Sequence, residues 1–387
     1  MTKIIRLTPL LLLLTLTQSS FGQVNKDSLN TLVNNLAQDL MKEKQAVGLS
    51  IGVYNNGKTY FYNFGTLEKG KQLIPTENTR YEIGSITKTF ISFLLAKAAQ
   101  EKKVNLSDDI RKYLDGKYPN LEYLKNPIRL IHLANTSSGL PDWLPPMPDE
   151  ILKASTDSVS FLRANFYSKM SRHDFFEALH HCKLDTIPGS YGKHSNAAAM
   201  LLGYILETVY KKPLSQLLQE YITTPFKMNE TSFSPSGNVA KGYNNKGDLK
   251  PYELPFFNGT AGIFSTSTDL LKYSMGLLDS QTEVTRILLQ RNIEVDMQNS
   301  KVTKINSNSP FNPSAYSVSL NWFSYKFDNG IIQTWSDGGT SGFCSYLVFI
   351  PNLKSAIVLL ANVGGDQKIF SALPNISYQL INFLRQK

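Results

Sequence analysis

The alternation of apolar and polar positions along the 387 residues predicts strands near both ends and helices between them. Residues 47–64 (V-G-L-S-I-G-V-Y-N-N-G-K-T-Y-F-Y-N-F) read as two strands about Asn56-Gly57, a dipeptide that accepts the positive φ a tight hairpin needs. The run Phe90, Ile91, Phe93, Leu94, Leu95, Ala96 is apolar enough for a buried helix, and Gly84 allows a tight turn into it. From about 96 to 250, helical segments are broken by Pro and Gly, one of them at 197–210 (A-A-A-M-L-L-G-Y-I-L-E-T-V-Y). A further helix is expected at 267–279, with Ser267 or Thr268 capping the run led by Asp269. Strands return at Ile331 to Trp335, Ser345 to Ile350 and Ser355 to Leu360, followed by a helix from about Phe370 to Leu384. This order implies an α+β body whose sheet joins the two ends of the chain, with a helical region inserted.

The first 22 residues have a different pattern: a basic start (Lys3, Arg6), an apolar run from Leu7 to Leu16 and a polar end with Ser20 and Gly22. That is the pattern of a secretory signal peptide cleaved after Gly22, and the run is too short to span a bilayer. The expected product is residues 23–387 as one domain, periplasmic or secreted, without a stable membrane anchor. Removing Lys3 and Arg6 lowers the formal net charge from +9 to +7, and the remaining Lys and Arg are dispersed, so nucleic acid is not an expected partner. At 42% hydrophobic residues the chain can bury a large core. Cys182 and Cys344 are too few for a disulfide scaffold and read as two buried thiols. None of the histidines (132, 173, 180, 181, 194) falls in a metal-binding spacing, and no phosphate-cradling glycine motif is present, so neither a metal nor another cofactor is expected.

The chemistry concentrates in Y-E-I-G-S-I-T-K-T-F at 81–90. Ser85 and Lys88 stand three apart, on one face of the helix they open. A serine hydroxyl needs a base to attack a carbonyl at neutral pH, and a desolvated lysine amine can serve. The electropositive helix start discourages protonation of Lys88 and favours an oxyanion near the Ser85 backbone N–H. The alternative reading makes Ser85 a helix cap and Lys88 a solvated first-turn residue.

Five further stretches complete a pattern: V-N-L-S-D-D-I-R-K-Y-L (104–114), I-R-L-I-H-L-A-N-T-S-S-G-L-P (128–141), P-G-S-Y-G-K-H-S-N-A-A-A-M-L-L-G (188–203), G-T-A-G-I-F-S-T-S-T-D-L (259–270) and D-G-G-T-S-G-F (337–343). With G-S-I-T-K-T-F (84–90) they make the chain resemble the serine β-lactamase and penicillin-binding-protein superfamily, in its class C β-lactamase-like branch. The resemblance implies a β-lactamase/transpeptidase-like fold: an antiparallel sheet flanked by helices with a helical subdomain beside the cleft. It implies acyl transfer through Ser85, with the backbone N–H groups of Ser85 and Gly339 as oxyanion hole. Asn196, Ser336, Asp337 and Gly338 become substrate-binding positions.

Two positions depart from the family. The Tyr-x-Asn motif is His194-Ser195-Asn196 here, so an imidazole stands where a phenol would shuttle protons. An unperturbed imidazole has a pKa of ~6.5 against ~10 for a phenol, so it can accept a proton near pH 7. His194 is expected to act as base and acid with Lys88, or else to be a passive hydrogen bonder; Tyr191 is a second phenol that could substitute. Asn196 is expected to bind substrate or orient Lys88, or to cap the following helix. In place of Lys-Thr-Gly or His-x-Gly the chain has Ser336-Asp337-Gly338, without the cation that would meet a substrate carboxylate. Asp337 either faces the cleft and repels anions or is a solvated turn residue. The aromatics Trp143, Tyr252, Phe256, Phe257 and Trp335 are candidates for the cleft wall. Three functions follow: an exported serine hydrolase acting on a small ester or peptide amide, cell-wall peptide included; a β-lactamase or D-Ala-D-Ala carboxypeptidase; or a non-catalytic cell-wall or peptide-binding homologue.

Overall fold

Two segments with no polar face, C-S-Y-L-V-F-I at 344–350 and S-A-I-V-L-L-A at 355–361, are buried on both sides and form the middle of a sheet. The computed structural model describes residues 25–253, 259–279, 281–306 and 308–386. The expected signal peptide, Phe256 and Phe257 therefore lie outside the described residues. The sheet has nine antiparallel strands: β1 (Gly48–Asn55), β2 (Lys58–Gly65), β3 (Ile293–Asp296), β4 (Val302–Lys304), β5 (Ala315–Val318), β6 (Phe323–Lys326), β7 (Ile332–Gly339), β8 (Cys344–Ile350) and β9 (Ser355–Ala361). Their spatial order is β4-β3-β5-β6-β7-β8-β9-β1-β2. β1 pairs with β9 from Leu49↔Ala361 to Asn55↔Ser355, so one sheet does join the two ends. Asn56 (φ 45°) and Gly57 (φ 87°) make the hairpin turn between β1 and β2.

Helices cover both faces. α1 (Lys26–Met41) and α6 (Gln367–Arg385) lay Leu29, Val33, Ile369 and Leu380 on Ile51, Val348 and Leu359. On the other face lie α2 (Thr87–Gln100), α4 (Asn196–Tyr210) and α5 (Ser267–Asp279), while α3 (Thr156–Tyr167) belongs to the inserted helical region. α2 is buried almost all round, from Thr87 to Ala96 without a break, and Phe90 stacks on Tyr273 of α5 with centroids 4.4 Å apart. A helix held this way gives its first-turn side chains a fixed origin.

Several local expectations are corrected. The α5 cap is Thr266, whose Oγ1 accepts the Asp269 N–H at 3.0 Å; Ser267 and Thr268 instead donate to the Glu77 carbonyl at 3.2 and 3.0 Å. The α4 cap is Ser195, not Asn196, its Oγ accepting the Ala198 N–H at 3.0 Å. β7 continues four residues past Trp335, so Asp337 is a strand residue rather than a turn residue. Helix α1 and the short strands β3, β4 and β5 went unanticipated. Both thiols are free; Cys344 is buried and Cys182 half-buried.

The turn that delivers Ser85 rests directly on the end of β7. Gly84 has φ +50°, and a Cβ there would lie 2.7 Å from the Gly339 nitrogen. A Cβ on Gly338 would lie 2.1 Å from the Ile83 carbonyl oxygen and 2.8 Å from the Ser85 nitrogen. Because those neighbours are backbone, they have no side-chain freedom with which to yield. Gly338→Ala should destabilise the fold by about 2–3 kcal/mol and abolish hydrolysis, read by denaturant melts and activity; a variant of native stability and rate would show that the backbone contact is looser than described.

Candidate active site

Gly84–Ile86 forms a single 3-10 turn that runs into α2 at Thr87. Lys88, in the first turn of α2, donates from Nζ to Ser85 Oγ at 2.6 Å. It is 7% exposed, which rules out the solvated first-turn alternative. Ser85 makes no capping bond, which removes the other half of that reading. Burial pulls the Lys88 amine down to about 8, against the opposing pull of Asp142 and Asp337. At pH 7 roughly a tenth of such amines are neutral and able to take the Ser85 proton.

The backbone nitrogens of Ser85 and Gly339 both lie where the turn meets β7. The side-chain-free Gly338 lets the Ser85 amide lie against β7. Thr340 N–H bonds the Phe343 carbonyl at 2.9 Å, and alternation along an antiparallel strand then turns the Gly339 N–H to the opposite edge of β7. On that edge β6 has already ended, its last pair being Phe323↔Trp335. The free edge from Ser336 to Gly339, with Ser85, Lys88 and His194, lines a cavity of about 300 Å³. Two N–H donors beside a nucleophile can stabilise charge on a carbonyl oxygen. Ser336 is 3% exposed and lines this cavity. Asp337 lines it too, and burial lifts its carboxyl above the ordinary value against the pull of Lys88 and His194.

His194 has a partner that the sequence reading missed. Its Nδ1 lies 2.8 Å from Asp142 Oδ1, and the same oxygen accepts the Asn196 backbone N–H and side-chain Nδ2, both at 3.1 Å. Burial raises the Asp142 carboxyl, but the hydrogen bond and charge of His194, the Asn196 N–H and Lys88 outweigh it and hold the group below the ordinary carboxylate value. An ionised Asp142 only accepts, so the imidazole proton sits on Nδ1 and the Nε2 lone pair is free. Asn196 thus orients Asp142 rather than Lys88. Asp142 follows Pro141, where the resembling stretch ends; a carboxylate next to that motif, in a chain with a histidine at position 194, was the available signal. Tyr191 does not line the cavity: it is 40% exposed and bridges to Lys301. Trp335 packs against Phe323 with centroids 5.8 Å apart. Trp143 and Tyr252 line a separate cavity.

A model of the beta-lactamase family matches residues 33–376. Protein flp of Staphylococcus aureus is 25% identical over 94% of this chain and 68% of its own length. The D-alanyl-D-alanine-carboxypeptidase/endopeptidase AmpH of Escherichia coli is 25% identical over 85% of this chain and 83% of its own. Among solved structures, a beta-lactamase/D-alanine carboxypeptidase from Yersinia pestis superposes with a TM-score of 0.75 at 23% identity, covering 93% of this chain and 99% of that one, which supports the fold.

The Lys88 environment carries a signed stability prediction. Its amine titrates near 8 when folded and near 10.5 when unfolded, so below pH 8 folding must bury an ammonium, at a cost of about 3 kcal/mol. That cost fades as pH rises from about 8 to 10.5. Lys88→Met should therefore be more stable than the parent at pH 7 and lose that advantage by pH 10; a stability difference independent of pH would contradict the burial argument. Asp142→Asn should lower kcat at least about tenfold with a small change in melting temperature, since the amide no longer enforces the Nδ1–H tautomer.

Proposed function

The chain belongs to the beta-lactamase family and is a serine hydrolase, and from that premise we propose that it cleaves an ester or peptide amide by acyl transfer through Ser85. The observation that carries this reading is the 2.6 Å contact between Lys88 Nζ, buried and near its titration point, and Ser85 Oγ. Lys88 takes the Ser85 proton as Oγ bonds to the substrate carbonyl carbon, and the N–H groups of Ser85 and Gly339 hold the resulting oxyanion. The carbon–leaving-group bond breaks as that proton passes from Lys88 to Nε2 of His194, whose ring Asp142 orients, and on to the departing oxygen or nitrogen. In the second half His194 removes a proton from water, the water oxygen bonds to the acyl carbon, and Ser85 leaves and regains its proton. Asn196, Ser336, Asp337 and Gly338 are the proposed substrate contacts.

Ser336 and Asp337 offer no cation on β7, which favours a substrate group without a carboxylate at that strand. A β-lactamase or D-Ala-D-Ala carboxypeptidase is the second reading, favoured by the likeness to AmpH. A non-catalytic binder is disfavoured by the Ser85–Lys88 contact. The N-terminal 22 residues support export to the periplasm or the medium. Among the described residues no helix is long and apolar enough to cross a membrane.

Intact-mass spectrometry of protein treated with a small active ester should reveal an acyl adduct that is absent from Ser85→Ala and clears with time. A lasting penicillin adduct would move the assignment to a penicillin-binding protein, and no adduct with several acyl donors would favour the binder. The pH dependence of kcat/KM separates the two bases. An acid limb near pH 8 marks Lys88, and one that Asp142→Asn displaces marks His194. His194→Phe retaining both rate and profile would remove His194 from the mechanism.

A further inference from the structure

Next to Asp142 in the chain, Trp143 lines a second cavity of about 320 Å³, whose walls include three more aromatic side chains, Phe161, Tyr167 and Tyr252. Its link to the first is Asp142, which holds His194 of that cavity. Trp143 follows Asp142 in the chain, and Tyr167 is within electrostatic reach of the Asp142 carboxylate. Trp143 and Tyr167 stack with centroids 4.5 Å apart. Arg163, from the turn of α3 that also presents Tyr167, lines the same cavity with its guanidinium 5.6 Å from the centre of the Trp143 ring.

Arg163 makes no ion pair among the described residues, whereas a guanidinium in an enclosed site ordinarily has a carboxylate or several carbonyls as partners. An arginine resting on an indole keeps its in-plane N–H donors free, in the fork that matches a carboxylate. The charges around it are mixed: Asp142 acts on Tyr167 and Glu253 lines the wall, while two lysines stand over other rings. Lys250 Nζ lies 5.0 Å from the centre of the Phe161 ring and Lys241 Nζ 5.8 Å from that of Tyr252, so cations stand over three of the aromatic walls. The acidic lining residue, Glu253, is already engaged: its Oε1 accepts the Ser341 N–H at 2.6 Å, and its own N–H is bonded to Glu82 at 2.5 Å. Lys250 is only 4.0 Å from Asp248, at the limit of an ion pair.

We propose that this cavity is a substrate subsite for an aromatic or long apolar group that ends in a carboxylate, with Arg163 as the residue that selects the carboxylate. The proposal rests on the hydrolase reading for its role in turnover and extends it. The cation missing from β7 at Ser336 is supplied from the helical region, on the other flank of His194. The anionic end of the substrate then points away from the free strand edge, and the scissile carbonyl lies at Ser85 in the first cavity.

Binding tests this without turnover. Isothermal titration of Ser85→Ala protein with 3-phenylpropionate and with the uncharged 3-phenylpropanamide should give at least about tenfold tighter binding of the acid. In Ser85→Ala/Arg163→Gln that ratio should fall to about two or less, with Arg163→Lys between. Trp143→Ala should weaken both ligands by removing the wall. Equal binding of acid and amide, an acid preference that survives Arg163→Gln, or no saturable binding of the acid would each overturn the proposal. Ser85-dependent hydrolysis of p-nitrophenyl acetate, measured separately on the unsubstituted enzyme, reports on the hydrolase reading alone, so failure of one is visible apart from failure of the other.

Discussion

The site depends on a contact between two pieces of backbone. The Ile83 carbonyl and the Ser85 amide occupy the space that any side chain at position 338 would fill, and the Gly339 nitrogen occupies the corresponding space next to Gly84. Two glycines on one strand and one at the turn let the nucleophile's peptide group and the strand's peptide group face a single point. Ser345 reinforces the contact from β8, its Oγ donating to the Ile83 carbonyl at 2.8 Å. Side chains adjust by rotating about χ angles, but a backbone-to-backbone fit has little such freedom. The spacing of the two N–H donors is therefore a property of the fold and not of any rotamer.

Around that fixed point the proton-handling groups are arranged with different exposure. Lys88 is buried and makes its contact with Ser85 from a helix that is itself core. His194 is largely exposed and is held by one strong partner, Asp142, which is itself fixed by two bonds from Asn196. A phenol at position 194 would need a depressed pKa to accept a proton at neutral pH, whereas an imidazole needs only the right tautomer. A carboxylate on Nδ1 supplies that. The histidine at position 194 and the carboxylate at position 142 are therefore one functional unit rather than two.

Much of this was legible in the chain. Apolar runs located β1, β2, β8 and β9, and the Ser85/Lys88 spacing located two side chains that meet at 2.6 Å, because period and spacing are local properties. What was missed has physical reasons. Strand β7 looked finished at Trp335 because Ser336-Asp337-Gly338-Gly339 has no apolar alternation; those residues are extended because pairing with β8 continues to Gly339↔Cys344. The short strands β3 to β5 span four, three and four residues, too few to show a period. Asp142 was invisible as a partner because its link to His194 crosses 52 residues of chain. Ser195, not Asn196, capped α4, a one-residue difference that frees the Asn196 amide for Asp142.

The pairing of β1 with β9 also governs how the molecule comes into being. Ile83 and Ser345, joined across the nucleophile turn, are 262 residues apart in sequence. Contacts of that span form only after a long loop has closed, which slows folding relative to locally connected chains. A ribosome that has made α1 to α5 and Ser85 has still not made β7, β8 or β9. Until the last strand emerges, Ser85 has no strand to rest on and the sheet has no middle, so a growing chain cannot hydrolyse anything.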